Sequence, residues 1–158
     1  MKVYGSLSNR LEEGKNYTGR EIRVGDDITM YYWSDRQCYY VIEVIDQKHI
    51  RVLPYEVCAD HSKKGGMGHQ NWLYFKTAKE HAEYINDCID KGLIKSQYVK
   101  KYNLDEVKEN SVQDWYFRYG NWCVKQEYWY DVKLEKPKWN KLPKVSIGIK
   151  DYYYDWEF

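Results

Sequence analysis

The residues of this chain best suited to chemistry lie in one glycine-rich segment, residues 60–72. Two histidines, His61 and His69, flank three glycines that fall within four residues, and Gln70 follows directly. Glycine at this density is incompatible with a regular helix or strand, and it lets backbone N–H groups approach a ligand closely. Those groups would bind an anion or a carbonyl oxygen, while histidine supplies a donor whose charge changes near neutral pH. The segment is therefore predicted to be a ligand-binding loop; the alternative is a surface loop whose side chains satisfy its own backbone.

A second polar pair, Asp35-Arg36, lies in a short turn between the apolar stretches Ile28–Trp33 and Cys38–Ile45. Both stretches are rich in β-branched and aromatic residues, which predicts a β-hairpin. The planar guanidinium of Arg36 could bind a phosphate or carboxylate through paired hydrogen bonds, or it could form a structural ion pair with Asp35 or Asp155. We predict a ligand- or partner-binding site made by Asp35, Arg36, His61, Gly65, Gly66, Gly68, His69, Gln70 and Trp72.

Catalysis is the alternative function for the same histidines. General acid–base chemistry by His61 and His69, with Asp35 or Asp60 as a nearby carboxylate, would make the protein a small hydrolase or nuclease. The sequence has no HxH, GxSxG, P-loop or paired-carboxylate pattern that would support this. Cys58 and the two histidines have a spacing compatible with zinc, but no fourth ligand stands out. We therefore favour a non-enzymatic binding protein and predict no catalytic residues, no metal and no cofactor.

The composition restricts the class of ligand. The 158 residues suit one domain, and the formal net charge is only +1. Near-neutrality argues against sequence-independent binding to duplex nucleic acid, where neutralisation of phosphates dominates affinity. One local exception is residues 132–150, with six Lys against one Glu around Trp139. There an aromatic ring could stack on a base while lysines contact phosphates, although a solvated connection between strands is the interpretation that the sequence favours.

Several short strands must position these residues. A third strand is predicted at His49–Leu53, and a second hairpin is predicted around a Gly120-Asn121 turn. A capping-box pattern at Thr77 predicts a helix, and a second short helix is predicted from Ser96 to about Asn103. We therefore expect an α+β fold, a β-rich small barrel or strongly curved antiparallel sheet (SH3-like), with a helical insertion at about residues 77–110.

The ends of the chain and its cysteines predict a compartment. The four cysteines stand singly, and neither a signal region nor a segment of transmembrane length is visible. These features indicate a reduced, intracellular protein that does not associate with membranes. The aromatic C-terminal tail, residues 151–158, is expected to pack against the first hairpin, because exposed rings at this density would leave an adhesive patch.

Four motifs in fixed order carry a resemblance to a known family. They are VGDDITMYYWSDR, GGMGHQNW, GNWCVK and SIGIKDYYYDWEF. In this combination the chain resembles a family of small uncharacterised bacteriophage and prophage proteins with a W-S-D-R hairpin, a glycine-rich middle loop and a Y-Y-D-Y-x-F-like end. The stretch from residue 77 to 110 departs from the shorter members. The resemblance implies a phage origin, but the family carries no activity that transfers to this chain. From that origin and the small size of the protein we expect a phage accessory protein in the host-cell cytoplasm, one that counteracts a host defence system by binding a host protein, a nucleic acid or a nucleotide signal.

Overall fold

A computed structural model describes residues 21–63, 70–95, 97 and 99–153 of the protein. Its described part is mainly antiparallel β-structure with one α-helix. The elements, in chain order, are β1 (Asp27–Tyr31), β2 (Arg36–Asp46), β3 (His49–Pro54), β4 (Glu56–Ala59), β5 (Trp72–Phe75), α1 (Ala78–Asp90), a 3-10 helix (Leu104–Glu106), β6 (Gln113–Arg118), β7 (Asn121–Trp129), β8 (Val132–Lys141) and β9 (Lys144–Ile147).

Seven of the strands form one sheet in the order β8-β7-β6-β3-β2-β1-β9, and β4 pairs with β5 in a second, two-stranded sheet. The two edge strands of the large sheet, β8 and β9, are separated along the chain by only Leu142 and Pro143. The Leu142 N–H still donates to the Trp122 carbonyl of β7, at 2.9 Å, whereas Lys144 already pairs with Tyr31 of β1. A chain can pass from one edge to the other within two residues only if the sheet curls. The predicted α+β class with a strongly curved antiparallel sheet is thus confirmed.

The curled sheet encloses an apolar core around Trp115 of β6, which is completely buried. Its ring meets Tyr39 edge-on, with centroids 5.0 Å apart, and its Nε1–H donates to the Gln113 side chain at 3.0 Å. Apolar residues from five other strands surround it, among them Ile28, Ile50, Val52 and Ile147. Since side chains alternate along a strand, the intervening residues of β6 must point to the outer face of the sheet.

The first hairpin has the predicted form. The Tyr32 N–H donates to the Asp35 carbonyl at 2.9 Å across the turn, and Tyr31 pairs with Arg36 at its base. The tail joins this hairpin as expected, because Arg36 and Tyr153 exchange backbone hydrogen bonds of 2.9 and 3.2 Å. Residues 154–158 of the predicted tail lie outside the described residues.

The helical region is shorter than predicted. Thr77 caps α1 by accepting a hydrogen bond from the Glu80 N–H, and the helix stops before Gly92, whose φ is +73°. In place of a second helix, the described residues between 97 and 103 are irregular, and the short 3-10 helix follows them. The physical reason lies in Asn86 of α1, whose amide binds both the N–H (2.8 Å) and the carbonyl (2.9 Å) of Tyr102. A helix that ended near Asn103 would have used the Tyr102 N–H for its own hydrogen bonds.

The second hairpin and the lysine-rich segment also differ from their predictions. The turn residues are Tyr119 and Gly120, both with positive φ (49° and 80°), so that Asn121 already belongs to β7. The segment predicted to be a solvated connection is strand β8, paired with β7. Between the pairs Gln126–Lys138 and Tyr128–Lys133, β8 has four residues opposite one residue of β7. This bulge includes Pro137, which has no N–H to donate to a regular ladder.

Candidate ligand-binding site

Arg36, a residue of the predicted site, holds the C-terminal tail in place. Its Nη1 lies 2.5 Å from Oδ2 of Asp151, and its guanidinium lies 5.3 Å from the ring centroid of Tyr153. The arginine is therefore engaged in a structural ion pair, the alternative given above, with Asp151 as its partner; Asp155 lies outside the described residues. Asp35 lies in the turn next to it, where its carbonyl closes the hairpin.

The end of the predicted loop reaches the same tail. The Trp72 indole donates to the Gln70 side chain at 2.8 Å, and its ring meets Tyr152 edge-on at 4.7 Å. The Tyr152 N–H also donates to the Tyr74 hydroxyl at 3.2 Å. Arg36 and Trp72, which are far apart in sequence, are thus brought to neighbouring residues of the tail.

His61 packs against helix α1. Its backbone N–H donates to the Tyr84 hydroxyl at 3.1 Å, and the two rings stack with centroids 6.4 Å apart. Its neighbour Asp60 accepts two hydrogen bonds from Ser62, and these bonds lower the pKa of the aspartate. The remaining predicted site residues, Gly65, Gly66, Gly68 and His69, lie outside the described residues.

A different set of residues forms a cavity on the outer face of the large sheet. Because Trp115 and Phe117 of β6 face the core, Tyr116 and Arg118 face outward. The register places Tyr116 opposite Cys123 of β7, Cys123 opposite Lys141 of β8, and Lys125 opposite Trp139. The resulting cavity has a volume of about 230 Å³ and is lined by Arg118, Tyr119, Asn121, Cys123, Trp139 and Lys141. We call it the Trp139 cavity.

Its geometry centres on the Trp139 ring. The Arg118 guanidinium carbon lies 3.9 Å from the centroid of that ring and 5.6 Å from the centroid of Tyr119. The Tyr116 ring meets the Trp139 ring edge-on at 5.1 Å, and the same Tyr116 ring stacks against His49 at 4.0 Å. Tyr119, at the hairpin turn, is 94% exposed. The cavity therefore combines a planar cation, a fixed indole and an exposed phenol ring.

The charges around the cavity leave its cations without carboxylate partners. On the same face, the Asp114 carboxylate accepts hydrogen bonds from His49 and Arg51, each at 2.9 Å. Partial burial alone would raise the pKa of Asp114, but these hydrogen bonds outweigh it, so that the pKa is lowered. Lys125 pairs with Glu127 at 3.1 Å. Among the described residues, by contrast, no carboxylate forms an ion pair with Arg118 or Lys141, and Nη1 of Arg118 is buried without a hydrogen-bond partner. A ligand with negative charge would find these cations uncompensated.

Trp139 beside lysines, for which base stacking was the less favoured interpretation of the sequence, lies in this cavity, whereas Arg118 and Asn121 were not predicted as site residues. The signal that could have found Arg118 is the alternation along β6, in which Trp115 and Phe117 point inward. In the described part of the chain, no group of three or more His, Cys, Asp or Glu residues could hold a metal ion. No described helix combines the length and the apolar character needed to span a bilayer.

The chain matches no protein-family model, no curated protein and no solved structure. Its function must therefore be inferred from the site itself.

Proposed function

We propose that this protein is a non-enzymatic binding protein whose ligand contains a nucleobase and a phosphate, bound at the Trp139 cavity. The observation that carries the proposal is the lining of that cavity, which combines Trp139 and Tyr119 with Arg118 and Lys141 and includes no carboxylate. Aromatic rings and guanidinium planes both stack on bases, and Arg and Lys are the usual partners of phosphate. The Asn121 amide donates one N–H to the Tyr119 carbonyl at 3.2 Å, which leaves its second N–H and its oxygen for the edge of a base.

Arg118 is the residue that would contact both the base and the phosphate of such a ligand. Its guanidinium lies over Trp139 at 3.9 Å and has no ion-pair partner among the described residues. Stacking on the indole holds the fork in one plane; Nη1 is buried, and the remaining N–H groups of the fork are the ones that would bind phosphate oxygens. A base entering beside Arg118 would be covered by the exposed Tyr119 ring from the turn.

The biological setting we propose follows from the phage origin that the family resemblance implies and from the small size of the protein. It is that of a phage accessory protein that acts in the host cytoplasm by sequestering a nucleotide signal or nucleic acid of a host defence system. A host protein is the other partner class consistent with the resemblance. The hydrolase alternative finds less support, because the His61 ring is packed against the Tyr84 ring of α1.

The test is direct binding by isothermal titration calorimetry, with thymidine monophosphate and an oligothymidylate of about eight nucleotides as probes. We expect Trp139→Leu and Lys141→Gln to weaken binding by about ten-fold or more, since stacking of one base is worth ~1–3 kcal/mol. The matched control is Lys79→Gln, an exposed lysine of helix α1, which should bind like the wild type. If neither probe binds the wild-type protein, or if both cavity variants bind as well as it does, the proposal is wrong.

A further inference from the structure

We propose that the ligand is a single-stranded nucleic acid, which enters the Trp139 cavity and continues along the β7–β8 hairpin, and not a free nucleotide. The inference rests on the proposed function. It goes further because it uses residues outside the cavity, from Tyr128 at the far end of β7 to Lys138 of β8.

The first observation is the row of cations beside the cavity. Lys133, Lys136 and Lys138 of β8 are all exposed, and none of them forms an ion pair among the described residues. Together with Lys141 they lie on the edge strand β8, in a segment where the sequence has six Lys against one Glu. Alternation places Lys138 on the face opposite Trp139 and Lys141, so it is the open edge of β8 that these lysines share. A mononucleotide in the cavity would leave most of this charge unused, whereas a polyanion would meet it along its length.

The second observation is a group of exposed rings at the end of the same hairpin. Tyr128 is 53% exposed, Trp129 59% and Tyr130 85%, and the rings of Trp129 and Tyr130 meet edge-on at 5.2 Å. Large aromatic side chains gathered at a solvent-exposed turn are a common feature of surfaces that bind. Beside lysines, they provide stacking positions for bases of any identity.

The distance between the Trp139 cavity and the exposed rings at the hairpin end sets a minimum length for the ligand. At the cavity, Cys123 of β7 pairs with Lys141 of β8; at the end of the hairpin, Trp129 of β7 pairs with Val132 of β8. Six residues of β7 separate these positions, or about 20 Å at the usual rise of a strand. One nucleotide does not span that distance, but a strand of at least about four nucleotides does, which is the lower range of site sizes for small β-barrel folds.

A single strand fits these features better than a duplex does. The rings can stack on bases only if the bases are unpaired and turned outward. The overall net charge of +1 also gives little of the long-range attraction on which duplex binding depends.

The test compares thymidine monophosphate with oligothymidylates of about four and eight nucleotides and with a duplex of similar length, by fluorescence anisotropy or calorimetry. We expect affinity to rise by about ten-fold or more from the monophosphate to the octamer, and octamer binding to fall by about ten-fold between about 50 and 200 mM salt. The duplex should bind more weakly than the octamer.

Two variants separate the inference from the proposed function. Lys133→Gln/Lys136→Gln/Lys138→Gln and Trp129→Ser/Tyr130→Ser should each weaken octamer binding by about ten-fold while leaving monophosphate binding unchanged. The matched control carries the same loss of charge at three exposed lysines elsewhere: Lys79→Gln/Lys95→Gln/Lys100→Gln.

The outcomes are distinguishable. If the monophosphate binds as tightly as the octamer, if the duplex binds as tightly as the single strand, or if both hairpin variants bind the octamer like the wild type, the single-strand inference is overturned and the cavity assignment stands. If no probe binds, the proposed function itself is wrong.

Discussion

Replacing Arg36 by alanine should destabilise the fold by about 2 kcal/mol, because its side chain ties the first hairpin to the tail. The ion pair with Asp151 joins two side chains that are only 25% and 29% exposed. A hydrogen bond to a charged group contributes ~1.5–3 kcal/mol when well buried, and partial solvent screening places this one near the lower end. The contact of the guanidinium with Tyr153, at 5.3 Å, adds ~0.5–1 kcal/mol.

The assay is urea unfolding followed by tryptophan fluorescence, with thermal unfolding as a second probe. A loss of about 2 kcal/mol lowers the melting temperature of a chain of this size by ~4–8 °C. Arg23→Ala, which removes an exposed arginine, should change the free energy of unfolding by less than ~0.5 kcal/mol. A double-mutant cycle with Asp151→Ala should give a coupling free energy of about 1 kcal/mol.

An Arg36→Ala variant as stable as the wild type would refute this reasoning, because the tail would then be held by other contacts. Unchanged stability with lost ligand binding would instead restore Arg36 to the ligand site predicted from the sequence. The measurement therefore separates the structural role of this arginine from the functional one.

Two further predictions concern local features. Thr77→Ala should cost ~1 kcal/mol in urea unfolding, because it removes the side-chain cap from the Glu80 N–H, whereas Thr77→Ser should retain the cap; equal stability of the two variants would contradict this. Burial raises the pKa of the Cys38 thiol from 9.0 to about 12, so the unfolded chain loses this proton at lower pH than the folded one. Stability should therefore be unaffected below pH 9 and fall between about pH 9 and 12. In Cys38→Ala the fall should be shallower, and an identical pH profile would exclude this contribution.

The parts of the fold that could be predicted are those specified by neighbouring residues. The first hairpin follows from a polar turn between two β-rich stretches, and the start of α1 follows from the hydroxyl of Thr77 three residues before Glu80. Both are local patterns. The second hairpin was displaced by one residue because Tyr119, not Gly120 alone, takes a positive φ, which is uncommon for a bulky side chain.

The features that could not be predicted depend on contacts between distant segments. Strand β8 lacks an apolar alternation because it lies at an exposed edge, and Pro137 within it is typical of a bulge or a break. The partner of Arg36 is Asp151 because of the path of the tail across β1, where the Asp151 N–H donates to the Thr29 hydroxyl at 3.0 Å. Nothing near Arg36 in the sequence indicates that path.

The candidate site shows the same limit. Trp139 among lysines is visible in the sequence, but Arg118 reaches its ring only through the register of three strands, with Tyr116 opposite Cys123 and Cys123 opposite Lys141. Composition identifies the kind of chemistry available to this segment. The register of the strands determines which side chains come together at the site.

The central claim, that a base and its phosphate bind in the Trp139 cavity beside the stacked Arg118 and Trp139 side chains, is tested most directly by nuclear magnetic resonance. The protein has seven tryptophans, and each indole N–H gives its own signal, which can be assigned by single Trp→Phe variants. Titration with an oligothymidylate of about eight nucleotides should shift the indole signal of Trp139 and the Arg118 Nε–H signal, and leave that of the buried Trp115 in place. Binding that leaves the Trp139 and Arg118 signals unmoved would contradict the account.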